Sequence, residues 1–420
     1  MAVGMAGLTG LAFTTAALAT TAHAQPNQPV PGSAAAADAD HSSTEGGRGK
    51  DGGSGTPVPC DTDALIAAIT SANATGGGVF DLAEDCTYLL TANIEGAGLP
   101  GIATPITLNG GKNTTIERAA AAEEFRIFFV EAGGNLTLNY LTITGGQTAG
   151  VDGGGIRVIP GGELTVSHST VTRNIAGGNG GGIANEGVTT VKRSTISRNT
   201  SPLQGGGINN TGVLTVHRTE VKANTGTIGG GGIGSTAGTV DVSKSSVSGN
   251  WSDQGAGLFI VDGGIGSVTD SHIKKNSAAD VGGGVFITGQ LTMEKVVLAG
   301  NTAETGAGLH VVGGSTANIS DSSIVDNTAG AQGGGIFNAG MTTVSDTKID
   351  GNQADTGGGV QNDTDAVLTF FASKVTDNLA VTDGGGIFNV AGIVNLNTAT
   401  GTTVIGNRPN NCVNVFGCAG

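Results

Sequence analysis

The sequence predicts an all-β fold: a single right-handed parallel β-helix of about twelve coils, with a short N-terminal capping helix. Three observations carry this. A cassette of about 25 residues recurs ten times, from about residue 151 to 407, and a fixed period of that size marks a solenoid. Asparagine returns at 174, 199, 224, 250, 276, 301, 327, 352, 378 and 407, at intervals of 25 or 26 until a last one of 29. An aliphatic residue follows each glycine cluster, at Ile156, Ile183, Ile208, Ile233, Leu258, Val285, Leu309, Ile336, Val360 and Ile387.

The pattern inside one cassette selects the kind of solenoid. Val166, Ser169 and Val171 mark short alternating runs broken by Gly, Asn and Ser, which read as strand, turn, strand. No window holds ten residues with apolar positions at helical spacing, and a leucine-rich repeat would place Leu at several fixed positions. Coils stacked at ~4.8 Å make a rod roughly 55–60 Å long.

Each coil position has a physical task. Three residues before the asparagine is an inward aliphatic residue, from Val171 and Ile196 to Val375 and Val404. Two residues earlier is a hydroxyl, from Ser169 and Ser194 to Thr402, a column that only Val296 breaks. The asparagine turns the chain, tolerates left-handed backbone, and can bond to its counterpart in the next coil. The glycines make the other sharp turn, where positive φ or close stacking leaves no room for a Cβ. That use accounts for 77 glycines in an ordered chain.

In chain order, residues 1–24 have the form of an export signal. Leu8, Leu11, Phe13 and Leu18 lie among Ala, Thr and Gly, and Ala22-His23-Ala24 has the small-x-small form of a cleavage site. The basic n-region is missing, since no Lys or Arg precedes Arg48. Residues 25–57, rich in Pro, Gly, Ser, Ala and Asp, read as a disordered linker. Residues 58–100 form the cap. Asp61 and Thr62 offer capping oxygens, and Leu65, Ile66 and Ile69 share one face of a helix ending near Asn73. A β-helix end is an unpaired edge that needs a lid, and this helix is its candidate. Cys60 and Cys86 flank it. Sequence order favours Cys60–Cys86 and Cys412–Cys418, with the other pairings and free thiols left open. From 101 to 420 the β-helix runs, irregular at first, and residues 407–420 close its far end.

The segment Cys60–Ile69, with Cys86-Thr87-Tyr88, Leu136-Thr137-Leu138, Leu141–Gly146 and the glycine cassettes, resembles secreted bacterial right-handed parallel β-helix repeat proteins. The repeats are similar to those of polymorphic outer-membrane proteins, within the pectate-lyase-like group. The resemblance spans about residues 58–420. It implies the fold and secretion, but no single activity, because the group mixes lyases, hydrolases and adhesins. Polymorphic outer-membrane proteins end in a membrane β-barrel. The repeats here run almost to Gly420, so no autotransporter and no membrane span in the mature chain are expected.

Charge and composition narrow the partners. A net charge of −15 argues against nucleic acid. Aromatic content of 4% argues against a broad sugar-stacking surface. Phe259, Phe286, Phe337 and Phe388 follow ladder residues, either as outward platforms or as packing for the turn. Six residues before the ladder asparagine the column reads His168, Arg193, Arg218, Lys244, Asp270, Lys295, Asp321, Asp346. One residue before it come Arg173, Arg198, then Lys275, and later Asp326 and Asp377, and two before it come Lys222, Lys274 and Asp350. Like charges at coil spacing repel, so the grouping calls for a cause. Arg173, Arg193, Arg198, Arg218, Lys222 and Lys244 form a candidate track for an acidic polysaccharide or cell-envelope polymer. A solvated face is the alternative.

Asp321 and Asp346 occupy one column on adjacent coils, a spacing of ~5 Å, and are weak candidates for retaining-glycosidase carboxylates or half a Ca²⁺ site. No RTX-type nonapeptide accompanies them. The six His are scattered, and no HExxH, GxSxG or Walker motif occurs, so no metal site and no required cofactor are expected. Outward Thr at 165, 190 and 215 resembles an ice-binding face, but the neighbouring column holds Lys192, His217 and Glu294, which spoils a flat array. The expectation is a secreted, monomeric, non-catalytic rod presenting a surface for cell-envelope or extracellular contact. The alternative is a lyase or hydrolase acting on an acidic polysaccharide.

Overall fold

The computed structural model describes residues 55–418. The predicted signal and all but the last three residues of the linker lie outside them. The described chain is a parallel β-helix of about fourteen turns, bounded, in the order the coil meets them, by parallel sheets of fourteen, thirteen, eight and twelve strands. One coil shows the circuit. The chain runs through the first sheet at Glu163–Ser167 and the second at Thr170–Thr172. It then passes the side of the third sheet, turns through Gly180–Gly182, and returns in the fourth sheet at Ile183–Asn185. Fourteen turns exceed the twelve expected because two coils are disguised. Thr56–Val58 pairs with Gly78–Leu82 in the first sheet, so the helix is an insertion within the opening coil rather than a preface to it.

Register follows the pleat. Leu138, Val166, Val191, Val216, Val242 and Val268 are partners on successive strands of the first sheet. Ile143, Val171, Ile196, Val221 and Val247 do the same in the second. All are buried and join one continuous core. The ten asparagines form a line inside this core. From Asn199 onward, each side-chain oxygen accepts the backbone N–H and the Nδ2 of the asparagine one coil before, as Asn224 does from Asn199 at 3.0 Å each. Inward Asn is affordable here because these polar groups are satisfied by their equivalents. The hydroxyl column behaves likewise: Ser169 N–H donates to Ser194 Oγ and Ser194 N–H to Thr219 Oγ1. In the glycine turns, the first residue takes positive φ (Gly205, +66°), and a Cβ on Gly206 would lie 2.3 Å from the Thr225 backbone.

The lid is the helix Thr62–Thr75, capped by Asp61, whose side chain accepts from the N–H groups of Asp63 and Ala64. Leu65, Ile69 and Ala72 are buried beneath it. The helix passes Asn73 and stops at Gly76, in the left-handed region at φ 90°. Asn73 does not end it. Its side chain ties the lid to the coil below, donating to Gly101 O and accepting from Ala103 N–H. Disulfides join Cys60 to Cys86 and Cys412 to Cys418, the pairing that sequence order favoured. Such bonds suit an oxidising compartment. No helix among the described residues is long and apolar enough to cross a membrane.

Candidate functional site

The second sheet is three residues wide, with a sharp corner on each side. The first corner holds Tyr140, His168, Arg193, Arg218, Lys244, Asp270, Lys295, Asp321, Asp346 and Ala372, and every one has φ between 46° and 56°. The second holds Arg173, Arg198, Ala223, Lys275, Asp326 and Asp377, with φ of 53–55°, and Gly249, Gly300, Gly351 and Gly406 at 62–73°. Each corner residue follows an outward strand position and precedes an inward one, and the chain turns there in the left-handed conformation. It is closed to β-branched side chains, and none of the twenty residues is β-branched. Outward projection adds a preference for polar groups. The backbone thus explains why both columns are Gly, Ala or polar. It does not explain the sign of the charge.

All six residues of the candidate track are exposed. The structure brings them onto one face, with Arg193, Arg218 and Lys244 on one corner, Arg173 and Arg198 on the other, and Lys222 on the strand between. Lys222 is paired with Glu220. Among the described residues, no ion pair includes the other five. Between Tyr140 and Gly406, the corners hold seven cations and the outward strand positions four, so this face carries eleven of the chain's nineteen Lys and Arg. It carries only seven of the thirty-four acids. Farther along, the column alternates instead of turning wholly acidic. Lys295 is bound to Glu294 Oε1 at 2.7 Å. That hydrogen bond and charge raise its pKa, with Asp270 and Asp321 adding to the effect.

Asp321 and Asp346 fall on successive coils, since Ser320 pairs with Ser345, and both are exposed. Among the described residues, no group of three or more His, Cys, Asp or Glu is placed to hold a metal ion. A hollow of about 430 Å³ opens at the second corner instead, lined by Asp326, Gly351, Gln353, Asp377 and Arg408. Tyr140 also went unread: its ring stacks on His168 at 4.8 Å and heads the first corner. The signal was present, because Asn139-Tyr140 aligns with Ser167-His168.

Three of the four ladder phenylalanines are not platforms, whereas Phe388 is half-buried and stands outside their row. Phe259, Phe286, His310 and Phe337 stack in a row, with centroids 5.3, 5.3 and 4.6 Å apart, and all four are buried. Their rings or Cβ atoms fill the space beside Gly229, Gly282 and Gly306. Each face is covered by the next ring. His310 Nδ1 is buried without a hydrogen-bond partner. Burial pushes the imidazole down to about 4, against smaller opposing effects of the Thr305 carbonyl and Asp280.

Comparison with family models, with curated proteins and with solved structures finds no match to this chain. The likeness to secreted β-helix repeat proteins therefore rests on the quoted motifs alone.

Proposed function

We propose that this protein is an exported, non-catalytic β-helix rod whose second-sheet face makes contacts outside the cell, its basic half holding an acidic polysaccharide or cell-envelope polymer. One observation carries the reading: a chain of net charge −15 gathers eleven of nineteen cations on one face, and five of the early ones have no ion-pair partner among the described residues. Arg suits carboxylate and phosphate because its planar fork can grip two oxygens. Successive coils at ~4.8 Å present cations at a regular spacing along a polymer. The disulfides fit an oxidising location.

The test replaces Arg193, Arg198 and Arg218 by Ser and measures binding to polygalacturonate and to poly(glycerol phosphate) across a salt series. Wild type binds, with affinity falling as salt rises, and the triple variant loses most of it. No wild-type binding to either polymer, or unchanged binding by the variant, rejects the proposal. One feature favours the enzymatic alternative, namely the hollow where Asp326 and Asp377 stand with Arg408. Two coils separate those carboxylates, roughly 9.6 Å of rise, near the upper spacing used by inverting glycosidases. Release of reducing ends or unsaturated products from uronate polymers, lost in Asp377→Asn, would establish it.

A further inference from the structure

Nothing in the backbone requires six of this face's seven carboxylates to stand in its late coils, interspersed with five lysines, while six of its cations stand in the early coils beside Glu220 alone. We infer that the second-sheet face is self-complementary: two copies of this chain associate face to face and antiparallel, with Arg193 and Arg198 of each opposite Asp321 and Asp326 of the other. The inference rests on the reading of that face as a contact surface, and it assigns a second copy as partner in place of the monomer expected from the sequence.

Symmetry carries the argument. A two-fold axis lying along the strands reverses the order of the coils yet leaves each corner on its own side. With the axis between the coils of Lys244 and Asp270, those two residues oppose each other on the first corner, and Arg193 opposes Asp321. The same operation, with no further choice, sets Arg198 against Asp326 on the second corner. Each pair occurs twice, because such a contact is isologous. Arg218 meets Lys295, whose ammonium is already held by Glu294.

Between the corners, Glu220, Lys222, His272 and Lys274 project from the coils nearest the axis, whereas the coils of Arg193 and Asp321 present small groups. Thr195 and Ser197 come to face Ser323 and Val325, and all four side chains are small and at least half-buried in their own coil. The face carries eleven cations and seven acids, so two copies do not attract through net charge and the contact depends on the register that sets unlike charges opposite. Exposed ion pairs contribute little singly, and act only within a Debye length of ~8 Å at physiological salt. Repetition along the rod makes them count, and salt weakens them. A polyanion on the basic half competes with the second copy, so polymer binding releases the pair.

Sedimentation equilibrium of the full chain tests this. In low salt the mass rises with concentration from 40.9 kDa toward twice that value, and returns in high salt. Arg193→Asp and Asp321→Arg each weaken association by roughly tenfold, and the double variant R193D/D321R restores it. Both changes suit the fold, because the same corner already holds Asp at 270 and 346 and Arg at 218. Asp321→Arg separates the two readings, since it keeps polymer binding and loses self-association. A wild type that stays monomeric in low salt overturns the inference, as do single reversals without effect or a double variant that fails to recover.

Discussion

The side-chain oxygen of Asn199 accepts two hydrogen bonds from Asn174, one from the backbone N–H and one from Nδ2, each 3.0 Å long. The same Nδ2 reaches back to Ile143 O. One amide thus fixes a bend, the coil before it and the coil after it. Removing one rung therefore damages three coils. Asn250→Ala strips the acceptor from both donors of Asn224 and the donor from Val221 O, all of them buried. Unsatisfied buried groups cost about 1–3 kcal/mol each, so a loss of at least ~3 kcal/mol is expected. Urea unfolding followed by circular dichroism reads it as a lower midpoint. A shift no larger than that of an exposed Ser→Ala control would show that the rungs are not mutually dependent.

The hydroxyl column offers the opposite experiment. Val296 stands where every neighbouring coil has Ser or Thr, so Ser271 N–H faces no hydroxyl, although Val296 N–H itself donates to Ser322 Oγ. Val296→Thr supplies the missing acceptor with little change in volume. A completed hydrogen bond is worth about 0.5–1.5 kcal/mol. The variant should melt higher than wild type by calorimetry, and a lower melting temperature would mean that the lost methyl packing outweighs the bond.

His310 makes the rod sensitive to acid. Its folded pKa of about 4 lies below the ordinary value of 6.5 because burial disfavours the imidazolium. The unfolded state therefore binds the proton first. Stability is unaffected above pH 6.5, declines as pH falls toward 4, and the loss levels off below. The difference corresponds to about 3 kcal/mol. His310→Phe, which continues the row of rings, should flatten this part of the pH–stability curve. An unchanged slope between pH 6.5 and 4 in that variant would place the acid sensitivity elsewhere.

The corners give a backbone test. Ala223 is exposed and holds φ of 54°, a left-handed backbone that costs any residue with a Cβ. Ala223→Gly relieves a left-handed cost of roughly 1–2 kcal/mol against an entropic penalty of about 0.5–1 kcal/mol, and stability should rise slightly. Ala223→Val, barred from this region, should fall by more than the Gly variant gains. Thermal melts of the two, compared with wild type, decide the sign.

Particular residues show where sequence reading succeeds in this fold. The ladder asparagines, the hydroxyls and the aliphatic position after each glycine cluster were legible because one residue type holds one column nearly without break. A second asparagine row was missed. Asn185 donates to Asn210 Oδ1, and Asn338 to Asn362 Oδ1, both pairs buried in the fourth sheet. Ile260, Ile287 and Val311 fill the middle of that row, so polar and apolar side chains alternate as solutions to one inward position. Tyr140 was hidden for a different reason, because its coil is 28 residues from that of His168 and the period had not yet settled. The charged columns were read in full, but their left-handed backbone was not, since a corner leaves a sequence trace only through what it forbids.

At the far end of the asparagine line, Asn411 closes the account within a single coil: its side-chain oxygen accepts from both Asn407 N–H and Asn407 Nδ2. At the near end, Asn174 Oδ1 receives Gly146 N–H. Both termini of the row are thus finished by local chain, and no interior rung depends on its ordinal place. A gene that gained or lost one whole cassette by unequal exchange would leave every remaining amide with the same neighbours, so lineages can lengthen or shorten this scaffold without inventing a new way to start or stop it.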